Sequence, residues 1–233
     1  MNPEPVTTQE PAVNWIRLAS VASAAGIAAA LVVWGMPAKV IDEHRHTRQL
    51  MLHFTFERLE DPVIVLGDSL VEASTLPRSI CGHPVVNAGL NAASTASDLG
   101  NWLAVALGGK RAAMIVVALG TNDALAGASK QEFSDRYGAL LDQLTKLSPR
   151  LVALAIPPVE ARLRMTAELR DQATKAIGEL NSALPDLAAR HGAAFASLPD
   201  MPTPHTIDGV HLDANGYLVW DKAIMQAAAG VCG

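Results

Sequence analysis

Four short motifs contain the side chains best suited to chemistry. They are Gly67-Asp68-Ser69-Leu70, Asn87-Ala88-Gly89, Gly120-Thr121-Asn122-Asp123 and Asp208-Gly209-Val210-His211. Together they contain a serine hydroxyl, an imidazole and carboxylates. A serine hydroxyl becomes a nucleophile when an imidazole takes its proton and a carboxylate orients that imidazole. The set therefore predicts nucleophilic catalysis by serine.

Asp208 and His211 are the predicted charge partners of Ser69. They are three residues apart on one turn, so their side chains are able to approach each other. A tetrahedral intermediate also carries an oxyanion, which needs hydrogen-bond donors already in place. Gly89 has no side chain to block its backbone amide, and Asn122 offers a side-chain amide. Both are therefore predicted donors.

The elements that must position these motifs follow an alternating pattern. Apolar runs predict five strands, at residues 62–67, 85–89, 112–120, 151–156 and 193–198. Continuous runs of this kind are typical of parallel strands that are buried on both faces. Apolar residues at helical spacing between and after the runs predict helices, the last of them over 215–228. The order predicts a doubly wound parallel sheet, in which ligands bind at the carboxyl ends of the strands.

Each motif alone is a weak signal, because Gly-Asp-Ser is common at turns and Gly-Thr-Asn-Asp is typical of a capping loop. In this order, with the first three at the ends of strands and the fourth before the last helix, they resemble the characteristic blocks of the SGNH, or GDSL, hydrolase family over residues 62–229. The resemblance implies a flavodoxin-like three-layer α/β/α sandwich and hydrolysis of carboxylic esters or thioesters through an acyl-enzyme. It also implies that Ser69, Asp208 and His211 form a catalytic triad. The implied oxyanion hole consists of the Ser69 amide, Gly89 and Asn122.

Other polar residues near the motifs receive structural interpretations. Asp68 is expected to fix its turn, Asp123 to cap the following helix and Asp213 to cap the last helix. His205 is expected to be a surface loop residue, with a place in the lining of the site as the alternative. Asp68 with Asp123 would be a minor alternative for a phosphate or Mg²⁺ site, but the usual Lys or Thr partners are not evident. We therefore predict no metal and no cofactor.

The composition limits the partners of the chain. Its 233 residues suit one α/β domain with an appendage. There are 18 basic and 23 acidic residues, and no stretch gathers the basic ones into a phosphate-binding stripe. Nucleic acid is therefore not an expected partner. A small-molecule, lipid or glycan ester is expected as substrate, and the sequence names no protein partner.

The amino-terminal residues differ from the rest. Residues 1–14 show no periodicity and are predicted to be a disordered tail. Residues 15–37 contain an uncharged run over 18–36, long enough to be a transmembrane anchor. A cleaved signal peptide and a buried core helix are the alternatives. Residues 38–60 are predicted to be a linker helix, and 61–233 the hydrolase domain.

The charges around the anchor argue against the location that the family resemblance implies. Lys39, Arg45 and Arg48 follow the run, whereas only Arg17 and the amino terminus precede it. The positive-inside rule would then place the domain in the cytoplasm. The imbalance is small, and the resemblance implies substrates outside the cell. We therefore expect a single-pass, membrane-anchored protein with a periplasmic or extracellular catalytic domain.

The two cysteines, Cys81 and Cys232, have no metal-ligand spacing. In an oxidising compartment they would be able to pair, and otherwise they are two unrelated thiols. Both interpretations stay open at this point.

Several functions are compatible with these motifs. The favoured one is hydrolysis of O-acyl groups on a carbohydrate or of a small ester. An acyltransferase that passes the acyl group to a sugar hydroxyl, a lysophospholipase and a thioesterase are alternatives. A non-catalytic membrane-anchored subunit is another. Trp102 and Trp220 would suit sugar stacking, but both lie on predicted helices and are expected in the core.

Overall fold

The computed structural model describes residues 38–162 and 165–232. Its internal contacts divide the chain into two units, Met1–His46 and Thr47–Gly233. The sheet, the helices that cover it and the predicted motifs all belong to the second unit, which is the one described below.

Among the described residues the first helix, α1, begins at Ala38 and ends at Glu57. Its second half belongs to the second unit, where Leu52 and Phe56 are buried in the core. Among the residues that the structure describes, no helix has the length and apolar character needed to cross a membrane. The predicted tail, 1–14, and the predicted anchor, 15–37, lie outside the described residues.

The sheet is mixed. Within the described residues its strands are β1 (Val63–Gly67), β2 (Ser79–Ile80), β3 (His83–Gly89), β4 (Met114–Ala118), β5 (Leu151–Leu154) and β6 (Ala194–Ala196). They lie in the order β2-β3-β1-β4-β5-β6. The five predicted strands are β1 and β3 to β6, which pair in parallel. Strand β2 pairs antiparallel with β3, so the prediction of a purely parallel, five-stranded sheet is corrected at this edge.

The length of each strand explains whether the sequence predicts it. All five residues of β1 and all five of β4 are buried, as expected for parallel strands covered on both faces. Strand β2 has two residues, too few to show any periodicity. Cys81 (φ 53°) and Gly82 (φ 80°) turn the chain between β2 and β3. Positive φ at both central residues is typical of a tight hairpin turn.

Helices cover both faces of the sheet. They are α2 (Ser69–Glu72), α3 (Leu99–Leu107), α4 (Thr121–Leu125), α5 (Lys130–Leu144), α6 (Ala167–Arg190) and α7 (Ala214–Ala229). Alternate residues of β1 face different cores. Ile64 packs with residues of α1, α3, α5 and α6, and Val65 with residues of α2 and α7. The result is the predicted three-layer α/β/α arrangement, with Trp102 and Trp220 both in the core as expected.

Cys81 and Cys232 form a disulfide, with their Cα atoms 6.2 Å apart. The structure therefore agrees with the interpretation in which the two cysteines pair. The bond joins the turn between β2 and β3 to the end of the chain beyond α7.

The carboxyl ends of three neighbouring strands bring the first three motifs together. Gly67, at the end of β1, lies opposite Gly89 of β3 on one side and Ala118 of β4 on the other. Because these strands are parallel, the segments that follow them leave the sheet at one edge. The fourth motif lies directly before α7, which packs on the same sheet.

Candidate active site

Ser69 lies at the sharp turn between β1 and α2. Asp68 caps α2, since its Oδ1 accepts a hydrogen bond from the Leu70 amide at 2.9 Å. Gly67 lies so close to β4 that a Cβ atom there would meet the Ala118 carbonyl oxygen at 2.2 Å. A glycine and a capping aspartate thus form the strand-to-helix turn that carries the Ser69 hydroxyl.

Asp208 and His211 lie on one turn before α7. Asp208 Oδ1 accepts hydrogen bonds from the amides of Val210, at 3.1 Å, and His211, at 2.9 Å. Asp208 Oδ2 accepts from His211 Nδ1 at 2.9 Å. Burial opposes ionisation of this carboxyl, but the hydrogen bonds outweigh it and lower the pKa of Asp208 to about 2. The ionised carboxylate holds the proton of the ring on Nδ1 and leaves Nε2 as an acceptor.

The Ser69 hydroxyl completes the chain by donating to His211 Nε2, at an Oγ–Nε2 distance of 3.1 Å. The structure therefore brings the three predicted catalytic side chains into one hydrogen-bonded series, from hydroxyl through imidazole to carboxylate. The His211 side chain is 45% exposed, so solvent and small ligands reach it. This is the geometry of an activated serine.

A cavity of about 260 Å³ lies beside this series and is lined by all three residues. The other lining residues are Asn91, Ala92, Asn122, Leu125, Met165 and Val210. A larger groove of about 800 Å³ between α5 and α6 is lined by none of the predicted site residues. Chemistry, rather than size, therefore identifies the smaller cavity as the candidate site.

Asn122 reaches the cavity from the first turn of α4. Its Nδ2 donates a hydrogen bond to the Ala93 carbonyl oxygen at 2.8 Å. A side-chain amide nitrogen carries two hydrogens, and the second has no acceptor among the described residues. The side chain is thus held in place with one donor left for a ligand.

Ala92 contributes a feature that the sequence did not predict. It lines the cavity, and its φ of 60° gives the chain a left-handed turn that is uncommon outside glycine. Its backbone N–H, like that of Ser69, has no acceptor within the part of the chain that the structure describes. No signal in the sequence marks Ala92, because its contribution is the direction of the backbone and not a side chain.

Gly89 lies at the end of β3 and does not line the cavity. Its N–H donates to Asn87 Oδ1 at 2.9 Å, and its carbonyl oxygen accepts from the Arg48 guanidinium at 3.0 and 3.2 Å. A Cβ atom at this position would meet the Glu72 backbone nitrogen at 2.1 Å. Gly89 therefore allows β3 and α2 to pack closely, which corrects its predicted place in the oxyanion hole.

Two carboxylates within the motifs, those of Asp68 and Asp123, are buried. Asp123 accepts hydrogen bonds from the Thr95 amide at 3.1 and 3.2 Å and from the Thr95 hydroxyl. It therefore holds the loop after β3 and does not cap a helix as predicted. Burial raises the pKa of Asp68 to about 7; the Leu70 hydrogen bond and His211 oppose this rise, and the Asp123 charge adds to it. Among the described residues, no three His, Cys, Asp or Glu side chains are grouped to hold a metal ion.

Two further predictions near α7 have different outcomes. Asp213 accepts from the Gly216 amide at 2.9 Å and caps α7, as predicted. His205 is only 4% exposed, so its prediction as a surface residue is wrong. The reason is a partner distant in sequence, Glu160, whose carboxylate lies 3.2 Å from the His205 ring.

Solved structures with the same fold include esterases. The chain is similar to a candidate platelet activating factor from Streptococcus pneumonia, with 22% identity and a TM-score of 0.69 over 86% of this chain and 98% of that one. It is similar to a carbohydrate acetylesterase from Sinorhizobium meliloti, with 21% identity and a TM-score of 0.60 over 74% and 100% of the two chains. A catalytic mutant of an acetylxylan esterase from Geobacillus stearothermophilus has 12% identity and a TM-score of 0.56 over 72% and 94%. At identities below 25%, these similarities show a shared fold.

The family model of the GDSL-like lipases and acylhydrolases matches residues 65–219. The match begins within β1 and ends within α7, so it includes Ser69, Asp208 and His211. No curated protein matches the chain. Because the family match covers well over half of its residues, the chain belongs to the GDSL-like lipase/acylhydrolase family and is an ester-hydrolysing enzyme.

Proposed function

We propose that this enzyme hydrolyses carboxylic esters through an acyl-enzyme formed on Ser69, and that its substrates carry O-acyl groups on a carbohydrate or are small esters. The observation that carries the proposal is the hydrogen-bonded series from Ser69 through His211 to Asp208. It borders a cavity where hydrogen-bond donors have no acceptor within the described residues.

In the first half of the reaction, Ser69 Oγ attacks the carbonyl carbon of the ester while His211 Nε2 accepts the hydroxyl proton. Asp208 stabilises the imidazolium that forms. The carbonyl oxygen becomes an oxyanion, and its donors are Asn122 Nδ2 and the amides of Ser69 and Ala92. The bond to the alkoxy group then breaks, and the alcohol leaves with the proton from His211.

In the second half, water attacks the carbonyl carbon of the acyl-enzyme while His211 Nε2 accepts one of its protons. The same donors stabilise the second oxyanion. The bond to Ser69 Oγ breaks, the carboxylic acid leaves, and Ser69 regains its proton from His211. The 45% exposure of His211 gives water access to this step. This exposure supports hydrolysis over acyl transfer, because acyl transfer requires water to be excluded from the acyl-enzyme.

The size of the cavity and two of the structural neighbours support the substrate class. Leu125, Met165 and Val210 give the cavity of about 260 Å³ an apolar wall. A space of this size suits a short acyl group better than a long lipid chain. Two proteins of the same fold are a carbohydrate acetylesterase and an acetylxylan esterase. A short O-acyl group on a carbohydrate is consistent with both observations.

We also propose that residues 15–37 anchor the enzyme in a membrane, with the catalytic domain outside the cytoplasm. The uncharged run over 18–36 supports the anchor. The disulfide between Cys81 and Cys232 supports an oxidising compartment, because disulfides persist in secreted and periplasmic proteins and are rare in the cytosol.

The proposed nucleophile is tested by treating the full-length chain with a fluorophosphonate probe and locating the label by mass spectrometry. Such probes react with activated serines, so we expect one label on Ser69 and none in the His211→Ala variant. Ser134→Ala, on α5, removes a serine whose hydroxyl donates to the Lys130 carbonyl, and it should label like the wild type. A folded wild-type chain without label on Ser69 would contradict the proposal.

A further inference from the structure

The loop that carries Asp208 and His211 has little regular structure to fix it. It connects β6 to α7. Among the described residues, one isolated β-bridge lies within the loop, and it joins Thr206 to Leu212. The rate of a triad enzyme depends on the placement of such residues to within a fraction of an ångström. Other groups must therefore hold the loop.

Glu160 binds the loop directly before Asp208. Its Oε2 accepts hydrogen bonds from the amides of His205, at 3.0 Å, and Thr206, at 2.9 Å, and from the Thr206 hydroxyl, at 2.6 Å. Burial opposes ionisation of Glu160, but these hydrogen bonds outweigh it and lower its pKa. The ionised carboxylate is thus an acceptor for three donors of two consecutive loop residues.

The backbone of Glu160 binds the loop again directly after Asp208. The Glu160 N–H donates to the Gly209 carbonyl oxygen at 2.9 Å. The two segments approach so closely that a Cβ atom on Gly209 would meet the Glu160 carbonyl oxygen at 2.5 Å. Asp208 therefore lies between two points that are both fixed by one residue.

The His205 ring also contacts the Glu160 carboxylate. Its Nδ1 lies 2.8 Å from the Pro202 carbonyl oxygen, and its Nε2 lies 3.2 Å from the Pro158 carbonyl oxygen. Glu160 Oε1 lies 3.2 Å from the same Nδ1. His205 is only 4% exposed, so this contact lies away from solvent.

We propose that Glu160 is the positioning residue of the catalytic loop: together with His205 and Thr206 it fixes Asp208, and through Asp208 it fixes the orientation of His211. The inference rests on the proposed function, in which His211 is the base. Glu160 does not line the cavity. Its loss should therefore lower kcat and leave KM nearly unchanged, because the substrate contacts stay in place while the base is misaligned.

The test is Glu160→Gln in the full-length chain, assayed with p-nitrophenyl acetate. Gln keeps one acceptor oxygen but loses the negative charge, and its NH₂ group takes the place of one carboxylate oxygen, facing either the loop donors or His205 Nδ1. We expect kcat to fall about 10- to 100-fold, the cost of a lost charged hydrogen bond or a small misplacement. The proton NMR signal of His211 Nδ1–H, shifted downfield by its bond to Asp208 and identified by its absence in His211→Gln, should weaken.

Three other variants keep the result interpretable. Glu179→Gln, on α6, changes an exposed carboxylate that pairs with Lys175, and it should match the wild type in rate and NMR signal. Thr206→Ser keeps the hydroxyl donor and should retain kcat, whereas Thr206→Val should lower it. If circular dichroism shows that Glu160→Gln does not fold, the Thr206 pair decides by the same two readouts.

Two negative results have different meanings. A folded Glu160→Gln variant with kcat within about twofold of the wild type and an unchanged His211 signal would overturn the positioning role, since a lost charged hydrogen bond should cost more. A wild-type chain that neither cleaves the ester nor reacts with a fluorophosphonate at Ser69 would contradict the proposed function instead.

Discussion

Among single residues, the hydrogen-bond donors beside Ser69 would, in the proposed mechanism, set how strongly an oxyanion is stabilised. The amides of Ser69 and Ala92 belong to the backbone, so no side-chain substitution removes them. Asn122 is different, because its donor is a side-chain amide that the Ala93 carbonyl holds in place before a substrate arrives. Donors that need no rearrangement contribute most to a transition state. Asn122 is therefore the position at which this contribution is measurable.

Asn122→Ala should lower kcat by about 10²- to 10³-fold, the usual effect of removing one oxyanion donor, with a smaller change in KM. Steady-state kinetics on p-nitrophenyl acetate measure both. Asn101→Ala, an exposed asparagine on α3, is the matched control and should keep the wild-type rate. A folded Asn122→Ala variant with an unchanged kcat would leave oxyanion binding to the backbone amides alone.

Some residues of the candidate site are predictable from local motifs. Others are not, because their contribution depends on contacts between residues that are far apart in sequence. Ser69, Asn122, Asp208 and His211 line one cavity, and the sequence predicts all four because each has a reactive or polar side chain in a motif that follows a strand or precedes a helix. The sequence predicts Gly89 and not Ala92, because it shows which residue has no side chain but not which backbone N–H is left without an acceptor beside a cavity. Glu160 contacts residues 45 and 46 positions away, and no local pattern predicts such a contact.

At the scale of elements, the site forms where three strand ends meet the turn before α7. The strands were predictable from continuous apolar runs, whereas the short hairpin strand β2 was not. The fit between the loop of Asp208 and the segment of Glu160 depends on one glycine. Gly209 has a φ of 103°, and a Cβ atom there would meet the Glu160 carbonyl oxygen and Met165 Cβ, both at 2.5 Å.

Gly209→Ala should therefore separate the two segments. It should lower kcat by more than the loss in free energy of unfolding alone explains. Gly127→Ala is the control, because Gly127 also has a positive φ, 71°, but no atom lies within 4 Å of the added Cβ. The backbone strain should cost either variant about 1–3 kcal/mol in free energy of unfolding. Only Gly209→Ala should lose activity at a temperature where both are folded. Equal kcat values in the two variants would contradict the close-fit argument.

Across the whole molecule, the disulfide connects distant parts of the chain. Cys81 and Cys232 are 151 residues apart in sequence. In the chain-entropy description, closing a loop of this length stabilises the fold by about 5 kcal/mol. That contribution exists only where the thiols stay oxidised, so the bond links the stability of the enzyme to its compartment.

If the domain lies outside the cytoplasm, both cysteines should be oxidised in living cells. Cells are quenched with acid, the chain is treated with a maleimide under denaturing conditions, and its mass is measured with and without prior reduction. We expect two maleimide groups after reduction and none before it. Cys81→Ser should leave Cys232 reactive in either case. Two groups without reduction would contradict the proposed location.

Because of the same bond, the consequence of a peptide-bond cleavage depends on where in the chain it occurs. Cys81 and Cys232 close a covalent ring that contains Asp208, His211 and Glu160, whereas Ser69 lies on the chain before the ring begins. A single peptide-bond cleavage inside the ring opens it but releases no fragment, so the cut pieces stay tethered. A single cleavage between Ser69 and Cys81 instead separates the proposed nucleophile covalently from the proposed base, and only packing then keeps the two together.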